Sequence, residues 1–490
     1  MLELNLVVLI EPHTGLHFFS YARTPLLGLP ILGEILRRMG LFVRIFCEKL
    51  TPINWSEVAK ADLVGISVLT NLAPRAYQIA AKVKEIAREA GKKIWVVMGG
   101  PHVTFMPEEA LEHGADFVVR HEGETVFPML VECLREGAES RALGEIPGLS
   151  YREGEEVVHN PGRPLVKDLD SLPTPNFSLI EGAERMNVVP VQTSRGCPHD
   201  CEFCSVVQMF GHAIRYRSPE NVVEELKRIE KEFPRRHVFF VDDNFSANPS
   251  RSLSLLEAMR KAGLRIKWSV QERISVAKRP EILRLMRETG CRRLYIGLES
   301  LNPVALWEWR KGQSPEEITE GVHRIHREGL AIHGMFVLGA DADTPESITD
   351  TVRGAIRLKL DTAQFFVLVP PPGTRLFRRL AGEGRIFDRN WSHYDGHHVV
   401  FFPKNMSPWK LQALAIWAYE KFYSVARGIA WAARLKFGNA FFAFVGRRVL
   451  RAWLEDNRAY LAKLRELKEK TDDALRRERD GDNSNRLPSA

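Results

Sequence analysis

The sequence lacks the features that mark disulfide-rich, membrane-spanning or secreted proteins. Cysteine is scarce: there are 6 in 490 residues, too few for a disulfide-stapled scaffold. The chain has no run of about 18 uncharged apolar residues, so no membrane span is predicted, and its N-terminal segment lacks the basic stretch of a signal peptide. With 44% hydrophobic and 27% charged residues, it is neither disordered nor fibrous. We expect a cytoplasmic protein of about two to four domains.

Acidic and basic residues are nearly balanced along most of the chain. The net charge is +7, from 69 Lys and Arg against 62 Asp and Glu. From residue 401 onward there are 18 basic and 10 acidic residues, a local charge of +8, so the first 400 residues carry −1. The basic excess therefore belongs to the C-terminal segment.

The first 140 residues alternate short apolar runs with helical patterns. The patterns predict strands over 4–10, 42–47, 63–69, 93–98 and 116–120, with helices over 30–39 and 73–90. Such alternation predicts a doubly wound, Rossmann-like parallel sheet with a ligand crevice at the carboxyl ends of its strands. Residues 141–186 are rich in Gly and Pro and are expected to form a connector, with a hairpin near 151–158.

Alternation of strands and helices restarts after the connector. Strands are predicted near 187–193, 237–241, 266–270, 293–297, 332–338 and 362–367, and helices are predicted to begin at or near Pro219, Pro249, Pro280, Asn302 or Ser314, and Pro345. Six βα units over 187–402 predict a full or partial barrel with its site at the carboxyl ends of the strands. Residues 403–470 are expected to form a helical module, and 471–490 a disordered tail.

Three cysteines, Cys197, Cys201 and Cys204, stand in C-x3-C-x2-C spacing directly after the first strand of this second region. Three thiolates on one loop can hold three irons of a [4Fe–4S] cluster and leave the fourth iron open. Zinc, with His199 or His212 as a fourth ligand, and three unrelated thiols are the alternatives. The remaining cysteines, at 47, 133 and 291, are interpreted as ordinary buried thiols.

The segment from Thr193 to Cys204 resembles the cluster loop of radical S-adenosylmethionine (SAM) enzymes, including the aromatic Phe203. The resemblance implies that SAM chelates the open iron and is cleaved to a 5′-deoxyadenosyl radical, after an electron arrives from a flavodoxin- or ferredoxin-like donor. It further implies SAM contacts at Phe203, Asp242, Asp243, Gln271, Glu299, Ser300 and Val337. Acidic residues at strand ends also serve as ordinary helix caps, which is the alternative for Asp242 and Glu299.

Three loops of the N-terminal sheet each follow a predicted strand: Ser67-Val-Leu-Thr70, Gly99-Gly100-Pro-His102 and His121-Glu-Gly-Glu-Thr125. In these loops the sheet resembles the cobalamin-binding domain of the B12-dependent radical SAM enzymes. The resemblance implies cobalamin contacts at Ser67, Leu69, Thr70, Gly99, Gly100, His102 and Glu122. The D-x-H-x-x-G motif of many B12 proteins is absent; the nearest segment makes His13 a candidate lower axial ligand, with a plain loop histidine as the alternative.

The C-terminal segment is dense in aromatic and basic residues. One interpretation is a helical cap with Arg stems on apolar surface; the other is an entry for a large apolar substrate or a contact with an anionic membrane face. Residues 397–407, HHVVFFPKNMS, followed by this helical segment resemble the C-terminal module of the hopanoid methylases and archaeal lipid ring synthases. Nucleic acid is not an expected partner, since no binding module accompanies the basic residues.

Together these resemblances imply methyl transfer to an unactivated carbon of a large lipid-like or tetrapyrrole-like substrate. The alternatives are a radical cyclisation, C–C coupling or rearrangement without methyl transfer, and a cobalamin or iron–sulfur sensor without turnover.

Overall fold

The computed structural model describes residues 4–15, 22–137, 140–162 and 165–479. Within these ranges the chain divides into two compact units. The first contains residues 22–198 and 205–243 with the described N-terminal residues, and the second contains 199–204 and the chain from 244 onward. The predicted domain boundaries at 140, 186 and 402 are drawn on a different basis and stay predictions.

The first unit holds the N-terminal sheet and the opening strands of the second region. Its strands are β1 (Leu6–Glu11), β2 (Phe42–Cys47), β3 (Leu63–Ser67), β4 (Trp95–Gly99), β5 (Phe117–Val119), β6 (Leu149–Glu153), β7 (Glu156–His159), β8 (Val188–Val191), β9 (Ser194–Arg195), β10 (Arg215–Tyr216) and β11 (His237–Phe240). Its helices are α1 (Gly28–Arg38), α2 (Trp55–Val58), α3 (Ala73–Glu89), α4 (Pro101–Phe105), α5 (Pro107–Glu112), α6 (Gly123–Arg135), α7 (Ser140–Gly144), α8 (Val206–Phe210) and α9 (Pro219–Glu232).

The N-terminal sheet has the strand order β2-β1-β3-β4-β5-β6-β7. Strands β1 to β5 pair in parallel, as predicted, because each is a short apolar run followed by a helix. The hairpin predicted in the connector is formed by β6 and β7, and β6 pairs antiparallel with β5. The hairpin therefore extends the sheet instead of standing apart in a connector.

The second unit contains the remaining strands and the C-terminal helices. Its strands are β12 (Lys267–Glu272), β13 (Cys291–Glu299), β14 (Ala331–Leu338) and β15 (Thr362–Val367). Its helices are α10 (Pro249–Lys261), α11 (Pro280–Glu288), α12 (Pro303–Glu308), α13 (Pro315–Arg327), α14 (Pro345–Arg357), α15 (Arg375–Gly382), α16 (Pro408–Phe422), α17 (Val425–Ala433), α18 (Phe437–Asp456) and α19 (Arg458–Arg479).

Strands β12 to β15 form consecutive parallel pairs, and within the first unit β8 pairs in parallel with β11. Proline opens the helices at 219, 249, 280, 303, 315 and 345, where its missing N–H costs nothing. Polar caps precede several of these prolines; Ser314 and Thr344 each form a reciprocal capping box. The six predicted strands and the helix starts predicted between them are confirmed.

The C-terminal helices confirm the predicted helical module. Tyr419 and Tyr423 on α16 place their hydroxyls against β15, where they accept from the Phe365 N–H at 3.2 Å and the Ala363 N–H at 3.0 Å. A helix thus covers an edge that would otherwise expose backbone donors. The tail was predicted to be disordered from 471, yet α19 runs to Arg479; residues 480–490 lie outside the described residues. Among the described helices, none combines the length and apolarity that crossing a membrane requires.

Candidate cofactor sites

The first half of the cysteine loop is fixed by a close backbone approach. Gly196, directly before Cys197, has φ +98°, and a Cβ there would lie 2.7 Å from the Ala213 carbonyl oxygen. Only glycine fits such a position. The Cys197 N–H donates to the Gly211 carbonyl at 3.4 Å, so the loop leaves β9 in a set direction with a half-buried thiol.

The second half of the loop is anchored within the second unit. The Cys204 N–H donates to the Cys201 carbonyl at 3.2 Å, which closes a turn. The carboxylates between the cysteines bind two arginines of α15: Asp200 accepts from Arg375 at 2.5 Å and Glu202 from Arg379 at 2.7 Å. The Phe203 ring lies edge-on to Trp309, with centroids 5.6 Å apart. These contacts hold the loop through its polar residues and leave its thiols unbonded to one another.

Each thiol of the triad is half-buried and free of disulfide bonds. In the part of the chain that the structure describes, no three His, Cys, Asp or Glu side chains are placed to hold a single metal ion. The feature that points to an iron–sulfur cluster is the C-x3-C-x2-C spacing of the three thiols.

Asp242, at the end of β11, is fully buried and serves the segment that leads to Cys197. Its carboxylate accepts from the Thr193 N–H at 3.1 Å, from the Thr193 hydroxyl at 2.8 Å and from the Ser194 hydroxyl. Its neighbour Asp243 has a pKa raised to about 7 by burial and by the charge of Asp242. The predicted SAM contact therefore falls on two unlike carboxyl groups, of which Asp242 positions the loop.

Glu299, at the end of β13, forms a buried ion pair. Its carboxylate lies 2.6 Å from Lys311 Nζ, and both side chains are less than a tenth exposed. Glu299 has φ +60°, uncommon for a side-chain-bearing residue, and a Cβ on Gly297 would come within 2.8 Å of both charged groups. The sequence analysis missed Lys311, although the glycine two residues before Glu299 is consistent with space kept for another group.

The other predicted SAM residues divide by their surroundings. Gln271 and Val337 are half-exposed on strands whose other face is buried, which suits residues that line a cavity. Ser300 is buried and accepts from the Asn302 N–H at 3.0 Å, so its hydroxyl shapes the turn into α12.

A pair of polar aromatic residues on β13 and β14, Tyr295 and His333, was not predicted. The rings of Tyr295 and His333 lie 4.8 Å apart, and His333 Nδ1 is 2.8 Å from the Thr362 hydroxyl. Burial and nearby Arg293 lower the pKa of His333 to about 3, so its ring is neutral at physiological pH. Tyr295 and His333 are direct partners in the register of β13 and β14, so aligning the two predicted strands would have brought them together.

The second unit contains a cavity lined by polar side chains. It holds about 430 Å³ and is lined in part by His199, Arg273 and Gln313. Arg273 donates to the Lys311 carbonyl, and Gln313 donates to the Leu298 carbonyl at 2.9 Å. Burial, Arg273 and Lys311 lower the pKa of His199 to about 4. The cavity wall therefore contains His199 of the cysteine loop together with two side chains that hydrogen-bond the backbone beside the Glu299–Lys311 pair.

The loops predicted to hold cobalamin meet at the carboxyl ends of β3 and β4. Ser67 lies opposite Gly99 in the sheet, and the Val68 N–H donates to the Gly99 carbonyl at 2.8 Å. Gly100 has φ +108°, and a Cβ there would lie 2.9 Å from the Val68 carbonyl oxygen, so the fold itself requires glycine. A Cβ on Gly99 would meet nothing closer than 3.5 Å. Gly99 is half-exposed and, unlike Gly100, its backbone does not require glycine, so its exposed side suits the approach of a bound group such as cobalamin.

The remaining cobalamin candidates differ in accessibility. Leu69 and Thr70 are half-exposed beside Ser67. His102 is fully buried, with Nε2 3.1 Å from the Tyr77 hydroxyl. His13 is half-exposed, and its backbone N–H donates to Glu48 at 3.0 Å.

Glu122 belongs to a buried network that the sequence analysis missed. It pairs with Arg195 at 2.9 Å and with Arg215 at 2.8 Å, and Arg195 also contacts Glu124 at 2.6 Å. The Val166 N–H donates to the second Glu122 oxygen at 2.7 Å. The loop after β5 is thereby bound to the strand that leads to Cys197, so Glu122 joins the predicted cobalamin loop to the cysteine loop.

Comparisons with known proteins match two separate regions of the chain. The chain matches the Radical SAM superfamily over residues 191–354 and the B12 binding domain over residues 23–131. It is 34% identical over 411 residues to an uncharacterized methyltransferase of Pyrococcus horikoshii, covering 81% of this chain and 88% of that protein.

Two further relatives have named substrates. The bacteriochlorophyllide d C-12(1)-methyltransferase of Chlorobaculum tepidum is 29% identical, covering 71% of this chain and 72% of that protein. The hopanoid C-2 methylase of Rhodopseudomonas palustris is 30% identical, covering 70% of this chain and 62% of that protein.

The fold is shared with a solved structure, that of the cobalamin-dependent SAM radical enzyme OxsB with aqua-cobalamin and SAM bound. The TM-score is 0.71 at 15% identity, covering 98% of this chain and 81% of that one. The spacing of the three cysteines and the half-exposed Gly99 fit the cofactors of this group. The chain belongs to the cobalamin-dependent radical SAM methyltransferase family, whose cofactors are a [4Fe–4S] cluster, SAM and cobalamin.

Proposed function

We propose that this protein transfers a methyl group from SAM to an unactivated carbon of a large apolar small molecule. What supports the proposal is one observation: a single chain carries three cysteines in C-x3-C-x2-C spacing and a sheet with a half-exposed glycine, Gly99, at the carboxyl end of β4. When bound, the cluster with SAM supplies a carbon-centred radical and cobalamin supplies the methyl carrier.

The chain's own residues position and insulate these groups. Asp242 fixes Thr193 and Ser194, and thereby the direction in which the chain reaches Cys197. We infer that Glu299, held by Lys311, presents a fixed carboxylate to the amino acid part of SAM. A charge that is already paired and oriented needs no reorganisation when the ligand arrives.

The substrate class is inferred from two sources. Relatives act, by their names, on a bacteriochlorophyllide and on a hopanoid, both large ring systems. The half-exposed face of β13 to β15 carries Tyr295, Met335 and Phe366, which suit an apolar ring with few polar groups. A neutral His333 adds a hydrogen-bonding group without a charge.

Isotope labelling in cells tests the proposal and identifies the substrate in the same experiment. Cells that carry the active chain, or its Cys201→Ala variant, are grown with methyl-deuterated methionine. We expect mass spectrometry of their lipids and pigments to show one compound that bears an additional labelled methyl group and is found only with the active chain.

Matched variants and the purified protein separate the alternatives. Cys133→Ala removes a buried thiol outside the triad and should leave the labelled product in place. A product whose carbon count is unchanged would replace methyl transfer with a cyclisation or rearrangement. Cobalamin binding with no SAM cleavage by the reconstituted protein would indicate a sensor.

A further inference from the structure

The hairpin formed by α17 and α18 presents an exposed apolar surface. Its exposed large side chains are Val425, Ile429, Leu435, Phe437, Phe441, Phe442 and Phe444. On α18 the residues Phe437, Phe441 and Phe444 are spaced by four and three positions, so they share one helix face. An apolar cluster of this density on a surface marks an interaction site. We call these seven residues the aromatic patch.

The same hairpin is strongly basic, and its only two carboxylates, Glu455 and Asp456, are the last residues of α18. Between Val425 and Leu454 the sequence has six Arg and Lys and no Asp or Glu. Two of the six serve the fold, since Lys436 pairs with Asp361 at 2.9 Å and Arg427 lies 4.0 Å over the Phe422 ring. The other four form no ion pair with any carboxylate that the structure describes: Arg434, Arg447, Arg448 and Arg451.

Two of the unpaired arginines extend the helix face on which Phe437, Phe441 and Phe444 lie. Arg448 and Arg451 follow Phe444 by four and seven positions on α18, on the same face of the helix. Arg434 precedes the exposed turn residue Leu435, which has φ +60°. Apolar side chains are therefore bordered at both ends of the stripe by guanidinium groups.

We propose that the aromatic patch and its arginines bind the surface of an anionic lipid bilayer. Aromatic and aliphatic side chains enter the boundary between headgroups and acyl chains, while arginines meet anionic headgroups. A second copy of the chain is a poorer occupant, because a symmetric contact would bring the same cations face to face. Binding to a membrane gives this chain a place to meet an apolar substrate, but the inference does not depend on methyl transfer.

Vesicle sedimentation with the full-length protein tests the proposal. We expect the protein to pellet with vesicles of phosphatidylcholine and phosphatidylglycerol, and not with phosphatidylcholine alone. The double variant Leu435→Ser/Phe437→Ser removes two side chains that are 76% and 63% exposed and should weaken binding roughly tenfold or more. Arg448→Gln/Arg451→Gln should weaken it by a similar factor and make it less sensitive to salt.

A matched control sits elsewhere on the chain. Phe42 on β2 is 75% exposed, so Phe42→Ser removes a comparable aromatic and should leave vesicle binding unchanged. Equal binding to neutral and anionic vesicles, or binding that survives both double variants, would overturn the proposal. Loss of vesicle binding together with concentration-dependent self-association that the patch variants abolish would assign the patch to a second copy instead.

Discussion

At Glu299 a buried carboxylate depends on one lysine. Replacing Lys311 with Met leaves the charge without its partner, and breaking a buried pair costs about 3 to 5 kcal/mol. We expect Lys311→Met to lower the melting temperature and to weaken SAM binding, measured by equilibrium dialysis on the reconstituted protein. The double variant Lys311→Met/Glu299→Gln removes both charges and should recover much of the melting temperature while SAM binding stays weak. If the double variant binds SAM normally, Glu299 is a structural residue only.

Glu11 makes stability depend on pH. Burial raises the pKa of this β1 residue from its usual 4.5 to about 7, although the Leu26 N–H donates to it at 2.8 Å. The folded state therefore holds the proton more tightly than the unfolded state, so stability is greatest below pH 4.5 and falls as the pH rises to about 7. The loss is on the order of 3 kcal/mol.

Glu11→Gln keeps an oxygen acceptor and removes the titration. We expect the variant to be more stable than the native chain at pH 8 and little different at pH 5, in thermal unfolding followed by circular dichroism. Equal differences at the two pH values would show that Glu11 does not carry this dependence.

Individual contacts were the least predictable feature of the chain. Cys197, Cys201 and Cys204 could be predicted as cluster ligands from the sequence because that prediction depends only on spacing along one loop. The cobalamin contact of Glu122 stays a prediction, but its ion-pair partners Arg195 and Arg215, which lie 73 and 93 residues away in sequence, were not predicted. No local sequence pattern encodes such distant pairs. The pairing of Lys311 with Glu299 was not predicted for the same reason, since it depends on how the loop that carries Lys311 packs beside β13.

At the scale of elements, two adjacent glycines after β4 do different work. Gly100 has a left-handed backbone and a carbonyl against it, so Gly100→Ala should destabilise the fold by about 1 to 3 kcal/mol. A Cβ on Gly99 would make only an ordinary van der Waals contact, 3.5 Å from the Val119 carbonyl oxygen. We expect Gly99→Ala to leave the melting temperature unchanged and to reduce cobalamin retention, read from visible absorbance after gel filtration. Full cobalamin retention in Gly99→Ala would show that the cofactor does not approach this backbone.

The positions of strands and helices could be predicted from local sequence patterns, whereas the pairing of β6 with β5 depends on tertiary contacts. The prolines at 219, 249, 280 and 345 marked helix starts because their restriction is local. The β6–β7 hairpin was predicted, but its partner β5 was not, since an exposed sheet edge has no sequence signature. Helix α19 continues beyond the predicted start of disorder at 471. Its Tyr460, Leu461 and Leu464 pack in a buried cluster with Trp453, which stabilises the helix from its first turns.

For the molecule as a whole, the network around Arg195 links two cofactor modules. Arg195 lies two residues before Cys197 and contacts both Glu122 and Glu124, which open α6 after β5 of the cobalamin sheet. The side chains are each less than a tenth exposed, so loss of the guanidinium leaves two buried carboxylates short of a partner. Because the network lies within one compact unit, a single substitution should disturb both modules.

We therefore expect Arg195→Met to lower the melting temperature, the iron and sulfide content, and the cobalamin retention together. Arg195→Lys should rescue these only in part, because an ammonium group cannot bridge two carboxylates as a guanidinium does. Cys201→Ala is the control, since it removes a cluster ligand and leaves the network intact, so iron should fall while cobalamin and the melting temperature of the cobalamin sheet are kept. Should Arg195→Met lose iron but retain cobalamin, the network serves the cysteine loop alone.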